Sequence, residues 1–245
     1  MYHSITFIDS SKKERNTWDD WYLIPSSRPV FNPPEVKTEY VDLPGGNGQI
    51  DLTESLTGYP VYENRTGSIE FYVENGHEPW DVLYSKIADF LHGRTLTAYL
   101  EDDPGFVYEG RFDINEWKSD KWWSVITINY NVYPYKKERF SSLENWLWDP
   151  FDFETGIIRE YKNLSVNGSL SLEIIATNEP ISPVINVTKE AVAGGGRLTV
   201  SVSGHSYELQ NGTNYLPDLV IKDKNVTLTF SGQATISVNY RGGSL

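Results

Sequence analysis

The chain has 245 residues, of which 39% are hydrophobic, 14% aromatic and 22% charged. This composition supplies enough apolar material for a packed core and excludes global disorder. No stretch approaches the roughly 20 consecutive apolar residues of a membrane-spanning helix, and the first residues lack the pattern of a secretory signal peptide. A net charge of −13 argues against nucleic acid wrapped on the outer surface, because the protein would repel phosphate.

The residue types that usually carry chemistry are scarce. The chain has no cysteine and four histidines, none at metal-ligand spacing. It contains no G-x-S-x-G, H-E-x-x-H or P-loop motif. We therefore expect no catalytic residue, no metal site and no cofactor.

The first part of the chain is predicted to consist mainly of strands. Alternating apolar residues predict strands at 4–8, 68–73, 96–100, 106–112 and 122–132. One helix is predicted from the three- and four-residue spacing of Trp80, Leu83, Tyr84, Ile87 and Leu91. Residues 41–66 are rich in Gly, Pro, Thr and Asn and predict a long loop or an extended arm.

The second part is predicted to be almost entirely β. Short alternating runs follow one another at 169–174, 184–187, 197–202, 207–209, 226–230 and 235–240, which is typical of a β-sandwich. No tryptophan follows Trp148, and most of the negative charge precedes residue 139. These shifts predict two domains, 1–138 and 139–245.

The densest carboxylate cluster is Glu101-Asp102-Asp103. An acid/base pair of a glycosidase is one interpretation of such a cluster. Because the three residues precede Pro104-Gly105 between two predicted strands, a solvated turn is the favoured interpretation.

Three tryptophans surround a predicted hairpin turn at 118–121: Trp117, Trp122 and Trp123. Adjacent Trp122 and Trp123 must point to opposite faces of a strand, so one of them is expected to lie outside the domain core. Burial against another subunit is the favoured interpretation, because interfaces are enriched in aromatic residues. Burial within one subunit and stacking on sugar are the alternatives.

The overall pattern resembles the distal tail (Dit) proteins of long-tailed, non-contractile phages and prophages of Gram-positive bacteria. A first strand opens at residues 2–8, and the other segments that carry the resemblance are Trp21–Pro29, Pro33–Thr38, Val41–Gly45, Asp51–Glu54, Arg65–Phe71, Tyr133–Lys136, Trp148–Gly156 and Asn239–Leu245. They cover both predicted domains.

The resemblance implies a mainly β fold. The N-terminal domain would be a tail-tube-like β-sandwich or barrel with one helix and a long arm, and the C-terminal domain a galectin-like β-sandwich. Six copies would form a ring at the tail tip, through which DNA passes without specific binding. The implied partners are the tail tube protein, the tail-tip hub protein and, as a further candidate, a receptor-binding protein. The protein would be made in the bacterial cytoplasm and located in the virion.

Candidate subunit-interface residues are Trp117, Trp122 and Trp123, together with Leu43, Pro44, Tyr59 and Tyr62 from the arm. Glu101, Asp102 and Asp103 are candidates for an acidic lumen, because a negatively charged wall would not retain DNA. Two other functions stay open on the residues alone: a non-catalytic carbohydrate-binding module, which the tryptophans and β-sandwich would permit, and a glycosidase with paired carboxylates.

Overall fold

The computed structural model describes residues 3–73, 78–119, 124–144, 160–190 and 197–245, with the side chains of 189–190 excepted. The chain forms two compact units. The first comprises Met1–Lys136 with Leu245, and the second comprises Lys137–Ser244.

The first unit is built on one antiparallel sheet. Its strands are β1 (Ile5–Ile8), β2 (Glu14–Asn16), β3 (Leu23–Pro25), β6 (Arg65–Val73), β7 (Arg94–Leu100), β8 (Asp103–Ser119) and β9 (Ser124–Val132), while β4 (Tyr40–Asp42) and β5 (Gln49–Asp51) form a separate hairpin. The strand order in the sheet is β2-β1-β7-β8-β9-β6-β3. The sheet is curled like half a barrel.

Strand formation follows the alternation seen in the sequence. In β6, Ile69, Phe71 and Val73 are buried while the residues between them are exposed, and β9 buries every second side chain in the same way. Both strands therefore present one apolar face to the core and one polar face outward. The strands predicted at 96–100 and 106–112 are confirmed within β7 and β8, which pair with each other as an antiparallel hairpin.

The predicted helix is confirmed as α1 (Trp80–Leu91). It begins after Pro79 and ends before Gly93, whose φ of 70° ordinary residues rarely adopt. Leu83, Ile87, Phe90 and Leu91 are buried against the sheet. The side of α1 opposite these residues carries Val82, which is exposed.

The predicted arm contains regular structure. In the structure the arm comprises residues 36–62, closed at its root by a bridge between Val36 and Tyr62. It leaves the sheet after β3 and returns to β6, and these two strands pair with each other at one edge of the sheet. Within the arm, β4 and β5 pair, and Gly45 and Gly48 in the loop between them have φ of 75° and 81°.

The second unit is a six-stranded antiparallel sheet in which β16 pairs with three other strands. The strands of this part of the chain are β10 (Lys136–Glu138), at the boundary between the units, β11 (Leu164–Ile174), β12 (Val184–Glu190), β13 (Thr199–Val202), β14 (His205–Glu208), β15 (Gly212–Tyr215), β16 (Val226–Asn239) and the short terminal β17 (Gly243–Ser244). Its buried side chains form one core, among them Val166, Ile174, Ile185 and Phe230.

The two strands predicted at 226–230 and 235–240 are one strand, so that prediction was wrong. Gly232 has φ of 133° and lies opposite Gly168 on β11, which lets β16 bend without leaving the ladder. A Cβ atom at Gly232 would lie 3.2 Å from Leu198 Cα. The sequence pattern marks this glycine as a turn, whereas the tertiary pairing on both sides keeps the strand continuous.

The predicted fold class, mainly β of the sandwich or barrel type, is confirmed, and the described residues contain one helix. The tail-tube-like and galectin-like labels stay predictions.

Candidate assembly surface

The hairpin β4–β5 has one apolar and one polar face. Val41 and Ile50 are directly opposite in the register, so their side chains share a face. Leu43 and Leu52 come directly after β4 and β5, two residues beyond Val41 and Ile50, and add to the aliphatic surface of the hairpin. Each of these four side chains is 39–45% exposed. An aliphatic face of this kind normally packs on something, and nothing in the described part of this chain covers it.

The opposite face of the hairpin is polar. Tyr40 lies opposite Asp51, and the Gln49 side-chain amide donates a 2.7 Å hydrogen bond to Asp42. Glu39 and Glu54 flank the hairpin as exposed residues. The arm therefore joins an aliphatic surface to exposed carboxylates.

The four arm residues predicted to touch a neighbouring subunit differ in their exposure. Leu43 belongs to the aliphatic face, and Pro44 beside it is exposed. Tyr59 and Tyr62 are half-buried. Tyr62 packs edge-on against buried Tyr135 at a ring-centroid distance of 5.7 Å. Tyr62 thus attaches the arm to its own subunit, while Leu43 and Pro44 are available to a neighbour.

A buried arginine anchors the root of the arm. Arg65 is 5% exposed, and its Nε donates a 2.6 Å hydrogen bond to the carbonyl of Pro134. Its Nη1 donates to the carbonyls of Phe31 and Asn32 at 3.4 and 3.0 Å. Burial lowers the pKa of this guanidinium from its usual value. Arg65 therefore ties the segment entering the arm to the strand that leaves it.

A polar groove of about 480 Å³ lies beside this root. It is lined by Asn32, Pro33, Glu35, Glu63, Asn64, Thr66 and Asn131. Asn64 donates to the Asn131 side chain at 2.7 Å, and the Asn32 side chain donates to the Thr66 carbonyl at 3.1 Å. The groove is therefore lined by side-chain amides, the Thr66 hydroxyl and two carboxylates, those of Glu35 and Glu63.

Trp117 belongs to an aromatic cluster on the helix side of the sheet. Its ring stacks on Tyr84 at 4.6 Å and lies 5.8 Å from Trp80, and 42% of the residue is exposed. This partial exposure fits an interface residue or a platform for a sugar ring. Trp122 and Trp123 lie outside the described residues, so their predicted role stays a prediction.

The three carboxylates predicted to line an acidic lumen all hold contacts within the subunit. Glu101 accepts hydrogen bonds from the backbone and side chain of Ser4, and Asp103 lies 2.6 Å from Lys136 Nζ. For Asp102, the contacts to Arg28 Nε and His3 Nδ1 are both 2.8 Å.

The positive neighbours change the electrostatics of this turn. Burial alone would raise the pKa of Asp102, but the hydrogen bonds from His3 and Arg28 and the charge of Arg28 hold it below its ordinary value. Asp102 is paired with the guanidinium of Arg28, and Asp103 with the ammonium group of Lys136. Their contribution to a negative wall is therefore smaller than the sequence alone predicts.

The described residues contain no group of three or more His, Asp or Glu side chains that could hold a metal ion. In that same part of the chain, no helix has the length and apolarity needed to cross a membrane.

The amphipathic hairpin was missed at the level of sequence, although its signal is present. Residues 40–43 and 49–52 both alternate polar and aliphatic side chains. The runs are only four residues long and lie within a region rich in Gly and Pro. The composition of this region therefore led to the prediction of a loop or an extended arm, and the alternation did not lead to a prediction of strands.

Comparison with known proteins gives a likeness of fold. No protein-family model matches the sequence, and none of the curated proteins matches it. Among solved structures, the chain is similar to SPP1 Dit (gp 19.1), described as a paradigm of hub adsorption apparatus in phages that infect Gram-positive bacteria. The match covers 97% of this chain and 98% of that one, with a TM-score of 0.53 and 12% sequence identity. At this level of sequence identity, the similarity shows the fold alone.

Proposed function

We propose that this chain is a structural protein of a phage tail tip, and that six copies form a ring joining the tail tube to the tail-tip hub. The observation that carries the proposal is the likeness to a phage hub protein across nearly the whole of both chains. The proposed partners are further copies of this chain, the tail tube protein, the hub protein and a receptor-binding protein. The proposed location is the virion.

The arm supports assembly independently of that likeness. Exposed aliphatic and aromatic side chains are concentrated in it: Val36, Tyr40, Val41, Leu43, Ile50, Leu52 and Leu56. Together they expose on the order of 500 Å² of apolar surface, distributed over the arm. A standard interface buries about 800 Å² per partner, so the arm alone would supply much of one side.

The geometry of the arm favours a ring over a two-fold dimer. The arm projects from one edge of the sheet and differs in shape and chemistry from the rest of the subunit. A contact between two different surfaces of identical subunits repeats around an axis and closes when the rotation allows. The net charge of −13 suits a conduit that should release DNA.

Light scattering of the purified chain at two concentrations tests the proposal. The subunit mass is 28.0 kDa, so a hexamer should weigh about 168 kDa. A closed ring should keep this mass on dilution and show six-fold symmetry by electron microscopy. A monomer at every concentration would contradict self-assembly.

Carbohydrate binding is the second candidate, and the exposed ring of Trp117 favours it. Titration of the full chain with cell-wall glycan tests it. The Trp117→Ala variant should lose any binding that depends on stacking at this ring.

A further inference from the structure

We propose that the arm of one copy docks on the opposite sheet edge of the next copy, an edge formed by residues 9–22. This inference rests on the ring assembly proposed above and names the surface that receives the arm. We call residues 9–22 the β2 edge, because β2 is the terminal strand of the sheet order.

The arm and the β2 edge lie at opposite ends of the strand order of the sheet. The arm is inserted between β3 and β6, at one end of the order β2-β1-β7-β8-β9-β6-β3. The β2 edge is the other end. A ring of identical subunits needs two different surfaces on each copy, one for the preceding and one for the following neighbour. The two ends of the sheet supply such a pair of surfaces, so the arm of one copy would meet the β2 edge of the next.

Both surfaces contain strands that could form backbone hydrogen bonds with another chain. Among the described residues, β4 and β5 pair only with each other, and a lone two-stranded hairpin is marginally stable in water. β2 likewise pairs only with β1. Both surfaces thus present strand edges, and such edges are templates for pairing with another chain.

Exposed charges of opposite sign lie on the arm and on the turn that precedes β2. Within the arm, Glu39, Asp42, Asp51 and Glu54 are exposed, whereas its single cation, Lys37, lies 3.7 Å from Glu63. The turn before β2 exposes two cations, Lys12 and Lys13.

The carboxylates near the β2 edge are largely engaged within the subunit. Asp9 accepts hydrogen bonds from the backbone of Ser11 and Lys13 and from the Ser11 hydroxyl. Asp20 pairs with Arg15 at 3.0 Å. Glu14 and Asp19 share this edge, so the positive charge is local to the turn. We therefore expect the arm's carboxylates to meet the turn itself.

The aliphatic face of the arm has a matching surface on the same edge. Trp18 and Tyr22 follow β2 and are half-buried, with ring centroids 6.5 Å apart. Aromatic side chains that keep part of their surface exposed commonly serve as interface anchors. The β2 edge thus offers the two lysines of its turn and two aromatic rings to an arm that offers carboxylates and aliphatic side chains.

Cross-linking tests the docking directly, since the natural chain has no cysteine. Leu43→Cys protein is mixed with Lys12→Cys protein and treated with a short bis-maleimide. We expect a covalent dimer of about 56 kDa, twice the subunit mass of 28.0 kDa. The matched control replaces Lys12→Cys with Val220→Cys, an exposed position in the second unit, and should give only background.

Other results would overturn the proposal. Efficient linkage of Leu43→Cys to Trp117→Cys would place the arm on the aromatic cluster, and linkage of two Leu43→Cys copies would mean arm-to-arm contact. If the parent forms the ring and the Leu43–Lys12 pair does not link, this acceptor is wrong while the proposed function stands. A parent that is monomeric and gives no linked product contradicts both.

A charge swap supplies a second readout. The variants Lys12→Glu/Lys13→Glu and Glu39→Lys/Glu54→Lys should each assemble roughly tenfold or more weakly than the parent, because attraction becomes repulsion. An equimolar mixture should recover assembly, since every contact in an alternating ring then joins opposite charges. Unchanged assembly of the single variants, or a mixture as weak as its components, would refute the docking.

Discussion

Replacing Ile50 with serine should weaken assembly and leave the folded subunit unchanged. Ile50 is 45% exposed on the aliphatic face of the hairpin. Full burial of an isoleucine side chain contributes about 1.5–3 kcal/mol, so covering the exposed part should contribute about 0.7–1.4 kcal/mol per contact. That difference corresponds to roughly a three- to tenfold weaker contact.

Ring closure multiplies this effect. A hexamer contains six equivalent arm contacts, so the assembled ring should lose about 4–8 kcal/mol in total. Sedimentation velocity across a dilution series measures this loss as a higher concentration at which the ring dissociates. The melting temperature of the dissociated subunit should hardly change, because substitution of an exposed side chain usually alters stability by less than about 0.5 kcal/mol.

The matched control is Val82→Ser on α1. Val82 is 46% exposed and lies on the helix side opposite the core, and valine and serine have similar helix propensities. It should leave assembly unchanged. Dissociation of the Ile50→Ser ring at the same concentration as the parent ring, or an equal weakening of the ring by Val82→Ser, would contradict this role of Ile50.

Three further substitutions test the subunit itself. Arg65→Met should destabilise the first unit by about 3 kcal/mol in chemical denaturation, because it removes the donor of hydrogen bonds to three carbonyl groups, two of these bonds being buried. A loss below about 1 kcal/mol would contradict this role. Because folding lowers the pKa of Asp102 below 3.8, its ionised form stabilises the fold above about pH 4, and this stabilisation disappears as the pH falls further. The free energy of unfolding of Asp102→Asn should therefore fall less steeply with decreasing pH than that of the parent. An unchanged slope would show that other carboxyl groups determine the acid sensitivity. Gly232→Ala should cost about 1–3 kcal/mol, since φ there is 133°, whereas an unaltered thermal midpoint would show that β16 tolerates a side chain at its bend.

The sequence by itself determined the features that depend on local periodicity. Alternation every second residue placed β6 and β9, and the three- and four-residue spacing of apolar side chains placed α1 from Trp80 to Leu91. These patterns are reliable because each buried face must present its apolar residues at the spacing of the backbone itself. The mainly β fold class follows from the same local patterns.

Tertiary structure alone decided the features that depend on residues far apart in the chain. Asp102 contacts His3, 99 residues away in the sequence, and the cation Arg28, 74 residues away, so part of the acidic charge of this cluster is compensated by distant residues. Arg65 reaches a carbonyl 69 residues away, at Pro134. Gly232 reads as a turn, yet pairing with strands on both sides keeps β16 continuous. In each case the stabilising contact joins residues that are far apart in the sequence. No short segment of the sequence contains both partners, so the contact is seen only in the folded chain.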